Sequence, residues 1–185
     1  MRLFVAIWPG DQLRKSLRGL QDGLRNRCPD VRWTPPEQLH ITVKFLGEVE
    51  DRRVPEIVAG LEKATASCKP FDLRVVNAGC FPPRGDVRIV WAGVEDAAGV
   101  VAGCAGVVDG ALEVVGFARE SRAFSAHITI GRVREDRSSG RLREIVESAK
   151  WGPQVQEISE IRLMSSVLSP RGSVYDTVAA IPLNE

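Results

Sequence analysis

At 185 residues with 44% apolar side chains, the chain is long enough for one compact domain with a sizeable core. Its 25 basic and 24 acidic residues nearly cancel, which excludes a global field that would hold it on long nucleic acid or on an anionic membrane. Any phosphate it binds must be met by a local cluster of donors.

In chain order, residues 3–8 predict a buried strand ended by Pro9-Gly10, and Asp11 then opens a helix with Leu13, Leu17, Leu20 and Leu24 on one face. That opening apolar run is too short for a signal peptide, and no run elsewhere has transmembrane length, so a cytoplasmic protein is expected. After Thr34-Pro35-Pro36, residues 39–46 predict a second strand that stops at Gly47. Val54, Ile57, Val58 and Leu61 recur at helical spacing, and Phe71, Leu73 and Val75 alternate with Asp72 and Arg74 as in a half-buried strand. Residues 87–94 predict a strand, followed by a soluble helix with Val100, Cys104, Val107, Val108, Ala111, Leu112 and Val115 on one face. Strands are predicted over 126–133, 158–164 and 174–181, with a short helix around Leu142, Ile145 and Val146. The fold class is α+β, and strand, helix, strand in each half suggests two similar lobes from an internal duplication within a single domain.

The chain has two histidines, and both stand in nearly the same tetrapeptide: His40-Ile41-Thr42-Val43 and His127-Ile128-Thr129-Ile130. In a strand, His and Thr at i and i+2 project from one face while the branched residues turn to the core. Taken singly, such a segment is an ordinary structural histidine; the repeat, which uses every histidine in the chain, points to a working pair. Two imidazoles with reference pKa about 6.5 supply one neutral base and one cationic acid near neutral pH. The threonine hydroxyls can donate to phosphate oxygens.

Metal chemistry is not expected. Neither motif offers a second histidine or a carboxylate at ligand spacing, and Cys28, Cys68, Cys80 and Cys104 form no C-x-x-C pair and read as reduced thiols. No phosphate-cradling G-x-x-x-x-G-K-[ST] loop is present, so ATP-driven transfer is not supported. No cofactor is expected.

The two H-x-T-x motifs resemble those of the two-histidine phosphoesterase superfamily. Within it, the chain is most similar to the RNA 2′,3′-cyclic phosphodiesterases, long called 2′-5′ RNA ligases. The matching residues include Leu3-Phe4-Val5-Ala6-Ile7, Trp33 with Pro35-Pro36-Glu37-Gln38-Leu39 ahead of His40, and Lys44-Phe45-Leu46-Gly47 after Val43. Further matches are Phe81-Pro82-Pro83-Arg84, Val90-Trp91-Ala92-Gly93, Phe124 ahead of His127, Gly131-Arg132 after Ile130, and Leu163-Met164-Ser165-Ser166 before Gly172 and Tyr175. The resemblance implies a bilobal α+β fold with helices outside and a central cleft faced by both motif strands. It implies His40 as proton donor, His127 as proton acceptor, and Thr42, Thr129 and Arg132 as phosphate ligands; a guanidinium fork suits that task.

Two further substrate contacts are weighed. In a regular strand Phe45 faces away from His40 and fills the core, unless the strand bends near Gly47 and lets the ring stack on a terminal base. Strand parity instead turns Lys44 toward the cleft as a phosphate contact. Arg84, Arg88, Arg119 and Arg122 read as solvated surface charges or a basic rim, and Trp33 and Trp91 as core or inter-lobe filling. The expected partner is an RNA end bearing a 2′,3′-cyclic phosphate, tRNA fragments among them, acted on by a monomer without a membrane. The rival readings are a phosphodiesterase of the same superfamily for a small cyclic nucleotide or an ADP-ribose cyclic phosphate, and a non-catalytic RNA-end binding module.

Overall fold

The computed structural model describes residues 1–138, 140–169 and 172–184. Strand β1 (Arg2–Ile7) shows the alternation that organises the molecule: Leu3, Val5 and Ile7 enter the main core, while Phe4 and Ala6 turn to the other face beside Met164. Helix α1 (Asp11–Arg25) buries the expected leucine stripe. There follow β2 (Val31–Trp33), a 3₁₀ turn over Pro36–Gln38, β3 (Ile41–Glu48), α2 (Val54–Thr65), β4 (Phe71–Phe81) and β5 (Ile89–Glu95). The chain continues through α3 (Val100–Val114), β6 (His127–Val133), α4 (Arg141–Glu147), β7 (Gln154–Ile158), β8 (Glu160–Ser169) and β9 (Gly172–Pro182).

Two antiparallel sheets result, ordered β3-β1-β8-β9 and β2-β6-β5-β4-β7. The first sheet draws strands from both ends of the chain and the second from the stretch between, residues 31–158, so the lobes are interleaved and do not correspond to an N-terminal and a C-terminal half. Helix α1 follows β1 directly yet packs on β7 of the other sheet, while α2 and α3 cover the first sheet against β9 and β3. One apolar core runs through both lobes and takes in all four cysteines, which are free thiols. Burial pushes Cys80 up to about 11 and Cys104 up to about 12, which keeps both protonated.

Three expectations change. The strand expected over 158–164 is divided at Ser159, and its two parts, β7 and β8, join different sheets. Helix α3 buries Val101, Cys104, Ala105, Val108 and Leu112, leaving Val100 and Val107 exposed. The helix is apolar nearly all round, so spacing allowed two faces and its packing against α2 and β3 chose between them. Short β2 and β7 were not anticipated, since three and five residues carry too little periodicity to register.

Candidate active site

The motif strands β3 and β6 lie in different sheets, one in each lobe, and each carries a β-bulge at the fourth residue of its motif. In β3, Thr42 lies opposite Ala6 and Lys44 opposite Val5, leaving Val43 as the extra residue. In β6, Thr129 lies opposite Trp91 and Gly131 opposite Val90, leaving Ile130 extra. One extra residue reverses the facing of everything after it. Histidine, threonine and the third residue beyond the threonine therefore share the cleft face in both strands: His40, Thr42 and Phe45 in one, His127, Thr129 and Arg132 in the other. The second bulge is held from behind, because the Ile130 carbonyl accepts hydrogen bonds from the Thr34 amide at 3.0 Å and from Nε2 of the buried Gln21 at 2.8 Å. Gly131 is required there, since a Cβ would stand 2.5 Å from Val31 Cγ1.

Both imidazoles are oriented by the same device. His40 Nδ1 donates to the Gln38 carbonyl at 2.7 Å, and His127 Nδ1 donates to the Ser125 carbonyl at 2.8 Å, in each case two residues upstream. A carbonyl can only accept, so each Nδ1 keeps its proton and Nε2 is the nitrogen left for chemistry. The 3₁₀ turn preceding β3 delivers the Gln38 carbonyl, and its side chain ties the turn across to the Ser173 carbonyl of β9 at 2.8 Å.

Their surroundings differ. The His40 ring stacks on Trp8 with centroids 5.2 Å apart and planes 1° apart, meets Tyr175 edge-on at 5.3 Å and lies 5.1 Å from Phe4. Burial pushes its pKa below the ordinary 6.5; the Gln38 carbonyl opposes that shift, while Arg132 and His127 add to it. His127 meets one ring, Phe81, edge-on at 5.1 Å, and Phe81 in turn leans on Trp91. The Trp91 indole lies over Gly79, where a Cβ would come within 2.3 Å of its Cζ2.

Between the two motif strands lies one cleft of about 470 Å³, within the range of small-ligand sites. Both histidines, Thr42, Thr129, Arg132 and Phe45 line it. Among the described residues, neither threonine hydroxyl has a hydrogen-bond partner in the protein, so both are available to a ligand. Phe45 is 64% exposed and does not fill the core. Lys44 does not line the cleft, contrary to the parity expectation: the Val43 bulge turns it to the helix-covered face, where it is buried, ion-paired with Asp109 of α3 and bonded to the Ala118 carbonyl at 2.7 Å. The same extra residue brings Phe45 in and sends Lys44 out.

Arg84, Arg88, Arg119 and Arg122 lie outside the cleft lining; Arg119 pairs with Glu113, and Arg88 donates to the Arg134 carbonyl. Trp33 packs on the core and also borders the cleft. Sequence reasoning missed Arg2, Arg32, Trp8 and Tyr175 around the site. Even spacing from Phe4 on β1 was the available signal for Arg2 and Trp8. Among the described residues, no three His, Cys, Asp or Glu side chains converge as metal ligands, and no helix is long and apolar enough to cross a membrane.

A family model for LigT-like phosphoesterases matches residues 7–91. The chain is 35% identical over 178 residues to an Archaeoglobus fulgidus protein named RNA 2′,3′-cyclic phosphodiesterase, covering 95% of this chain and 96% of that one. A Methanothermobacter thermautotrophicus protein of the same name is 30% identical over 178 residues, covering 95% of each. Among solved structures, TT0787 of Thermus thermophilus superposes with a TM-score of 0.80 at 25% identity, covering 99% of this chain and 98% of that one. E. coli LigT complexed with 3′-AMP shares the fold, with a TM-score of 0.77 at 20% identity over 100% of this chain and 98% of that one. With both histidine motifs facing one cleft between two interleaved antiparallel sheets, this chain belongs to the RNA 2′,3′-cyclic phosphodiesterase family of two-histidine, LigT-like phosphoesterases.

Proposed function

We propose that the protein hydrolyses the 2′,3′-cyclic phosphate at RNA ends, tRNA fragments among them, to a 2′-phosphomonoester, acting in the cytoplasm as a single-domain monomer without a metal ion. One observation carries the reading. Two equivalent bulged strands present two histidines with the same tautomer to one cleft, as a reaction needing a base and an acid on opposite sides of one phosphorus requires. Relatives of nearly equal length bear the matching name.

In the mechanism, neutral His127 takes a proton through Nε2 from the water that attacks phosphorus. His40, protonated at Nε2, gives its proton to the departing 3′ oxygen. Thr42, Thr129 and Arg132 hold the non-bridging oxygens as charge builds on them. Burial, with the charges of Arg132 and His127 adding to it, lowers the pKa of His40 and makes its imidazolium a stronger acid, and a bound anion opposes the contribution of the two cations. Phe45 stacks on the terminal base. With the 5′-hydroxyl of a second RNA attacking phosphorus in place of water, the same displacement of the 3′ oxygen forms a 2′,5′ linkage without ATP, and the attack of the freed 3′-hydroxyl on that linkage reverses it.

The test incubates purified protein plus EDTA with RNA carrying a 2′,3′-cyclic phosphate and locates the phosphate of the product. Mainly 2′-phosphate is expected. Loss of activity in EDTA with recovery on adding a divalent ion would refute the metal-free mechanism, mainly 3′-phosphate would reverse the leaving group, and binding without turnover would leave an RNA-end binding module.

A further inference from the structure

Many arginines elsewhere on the surface have carboxylate partners, among them Arg14 with Asp11, Arg74 with Glu95, Arg137 with Glu135 and Arg162 with Glu160, while others such as Arg84 and Arg122 are exposed to open solvent with no ion pair among the described residues. The cleft is different. Arg2, Arg32 and Arg132 line it, no Asp or Glu among the described residues does, and none of the three is in an ion pair among those residues. In a chain with 24 acidic residues, this leaves a cationic pocket inside a nearly neutral molecule.

Arg32 and Arg132 are also directly opposite each other in the pairing of β2 with β6, and so share the cleft face. Like charges directly opposite across a strand pair are destabilising. Arg132 lines the cleft with both histidines, and its charge lowers the pKa of His40. Arg32 reaches another way: a Cβ on Gly172 would stand 3.8 Å from its Nη2, so the guanidinium crosses the cleft toward the β8–β9 hairpin. Arg2 stands on the far wall, opposite Glu48, whose carboxylate lies 4.0 Å from the terminal ammonium of Met1. With Arg132 assigned to the cyclic phosphate, Arg32 is the arginine of this opposed pair left without an anion.

We propose that Arg32, assisted by Arg2, seats a second phosphate, the one on the 5′ oxygen of the nucleotide whose cyclic phosphate lies between the histidines. The inference rests on the hydrolase reading above. Such a phosphate is either the upstream linkage of an RNA or the 5′-phosphate of a free nucleotide. In both cases two anions on one ribose are read by two arginines on adjacent strands, and the opposed charges of Arg32 and Arg132 are relieved only by a substrate that carries both.

The test compares kcat/KM for three substrates: a nucleoside 2′,3′-cyclic phosphate with a free 5′-hydroxyl, the same compound with a 5′-phosphate, and a dinucleotide ending in the cyclic phosphate. The wild-type protein is expected to favour the second and third over the first by about tenfold or more, the worth of one good charged contact. Arg32→Gln should bring that ratio toward one, with Arg32→Lys in between. The salt dependence should be steeper for the phosphate-bearing substrates, by roughly 0.7 in the log–log slope. Equal gains for the second and third substrates mean that free nucleotides fill the seat too, whereas a gain confined to the dinucleotide assigns it to the RNA linkage; both support the seat. Equal kcat/KM for all three in the wild type, or an unchanged ratio in Arg32→Gln, overturns it. If wild type turns over none of them, the hydrolase reading fails, and the affinities of 2′-phosphorylated products with and without a 5′-phosphate then judge the seat alone.

Discussion

Each imidazole holds its Nδ1 proton on a backbone carbonyl, so the difference between His40 and His127 lies in what faces the ring. Burial lowers the pKa of His40, and the cationic neighbours Arg132 and His127 lower it further. With two histidines in the chain, an NMR titration of ring signals resolves both. His40 is expected to titrate below 6.5 in the free protein and to rise in Arg132→Gln; a His40 midpoint at or above 6.5 would contradict the environment described. The sign for stability follows. Below 6.5 the unfolded chain takes up this proton before the folded one, so His40 favours folding above 6.5 and loses that contribution as pH falls toward its folded value. In catalysis, kcat/KM should trace a bell against pH, with limbs that belong to the pair. Replacing either histidine by alanine should cost on the order of 10²–10⁴ in rate, and the double replacement far less than the product of the two losses. Thr42→Ala and Thr129→Ala should each lose a hydrogen bond to a charged group, roughly 1.5–3 kcal/mol. A folded single-histidine variant with near wild-type turnover would end the two-histidine mechanism.

At the scale of the strand, the bulges decide which residues line the cleft. Lys44 and Phe45 are neighbours with opposite fates, and their variants should separate accordingly. Lys44→Met removes a buried ion pair and a bond to the Ala118 carbonyl; it should destabilise the protein by about 1–3 kcal/mol, seen as a lower Tm, and leave KM near wild type. Phe45→Ala should leave Tm nearly unchanged, because the ring is exposed, and weaken substrate binding by about 1–3 kcal/mol if the ring stacks on a base. The reverse pattern would mean that the facing of β3 is wrong. This pair also marks the limit of what the sequence revealed. The histidines and threonines were legible because the repeat is explicit and strand parity holds up to the threonine in both motifs. Parity fails one residue later, because a bulge is set by pairing with a distant strand and by a side chain such as Gln21, 109 residues away from Ile130. The α+β class and most elements followed from periodicity, whereas the facing of α3 and the break at Ser159 depended on packing that no local pattern carries.

Across the whole molecule, the interleaved sheets put one histidine-motif strand in each lobe while a single core runs behind both, so the two rings are fixed relative to one another by the body of the protein. Because each ring exchanges protons through Nε2 alone, whatever enters by that nitrogen must leave by it. In the proposed mechanism a hydrolytic turnover ends with His127 charged and His40 neutral, the reflection of the state in which it began. That reflected state is the one that runs the reaction backwards, so an enzyme holding product is already armed for ring closure. Forward cycling resumes once product has gone and water has relaxed both rings, so each turnover is completed by proton exchange in the empty cleft.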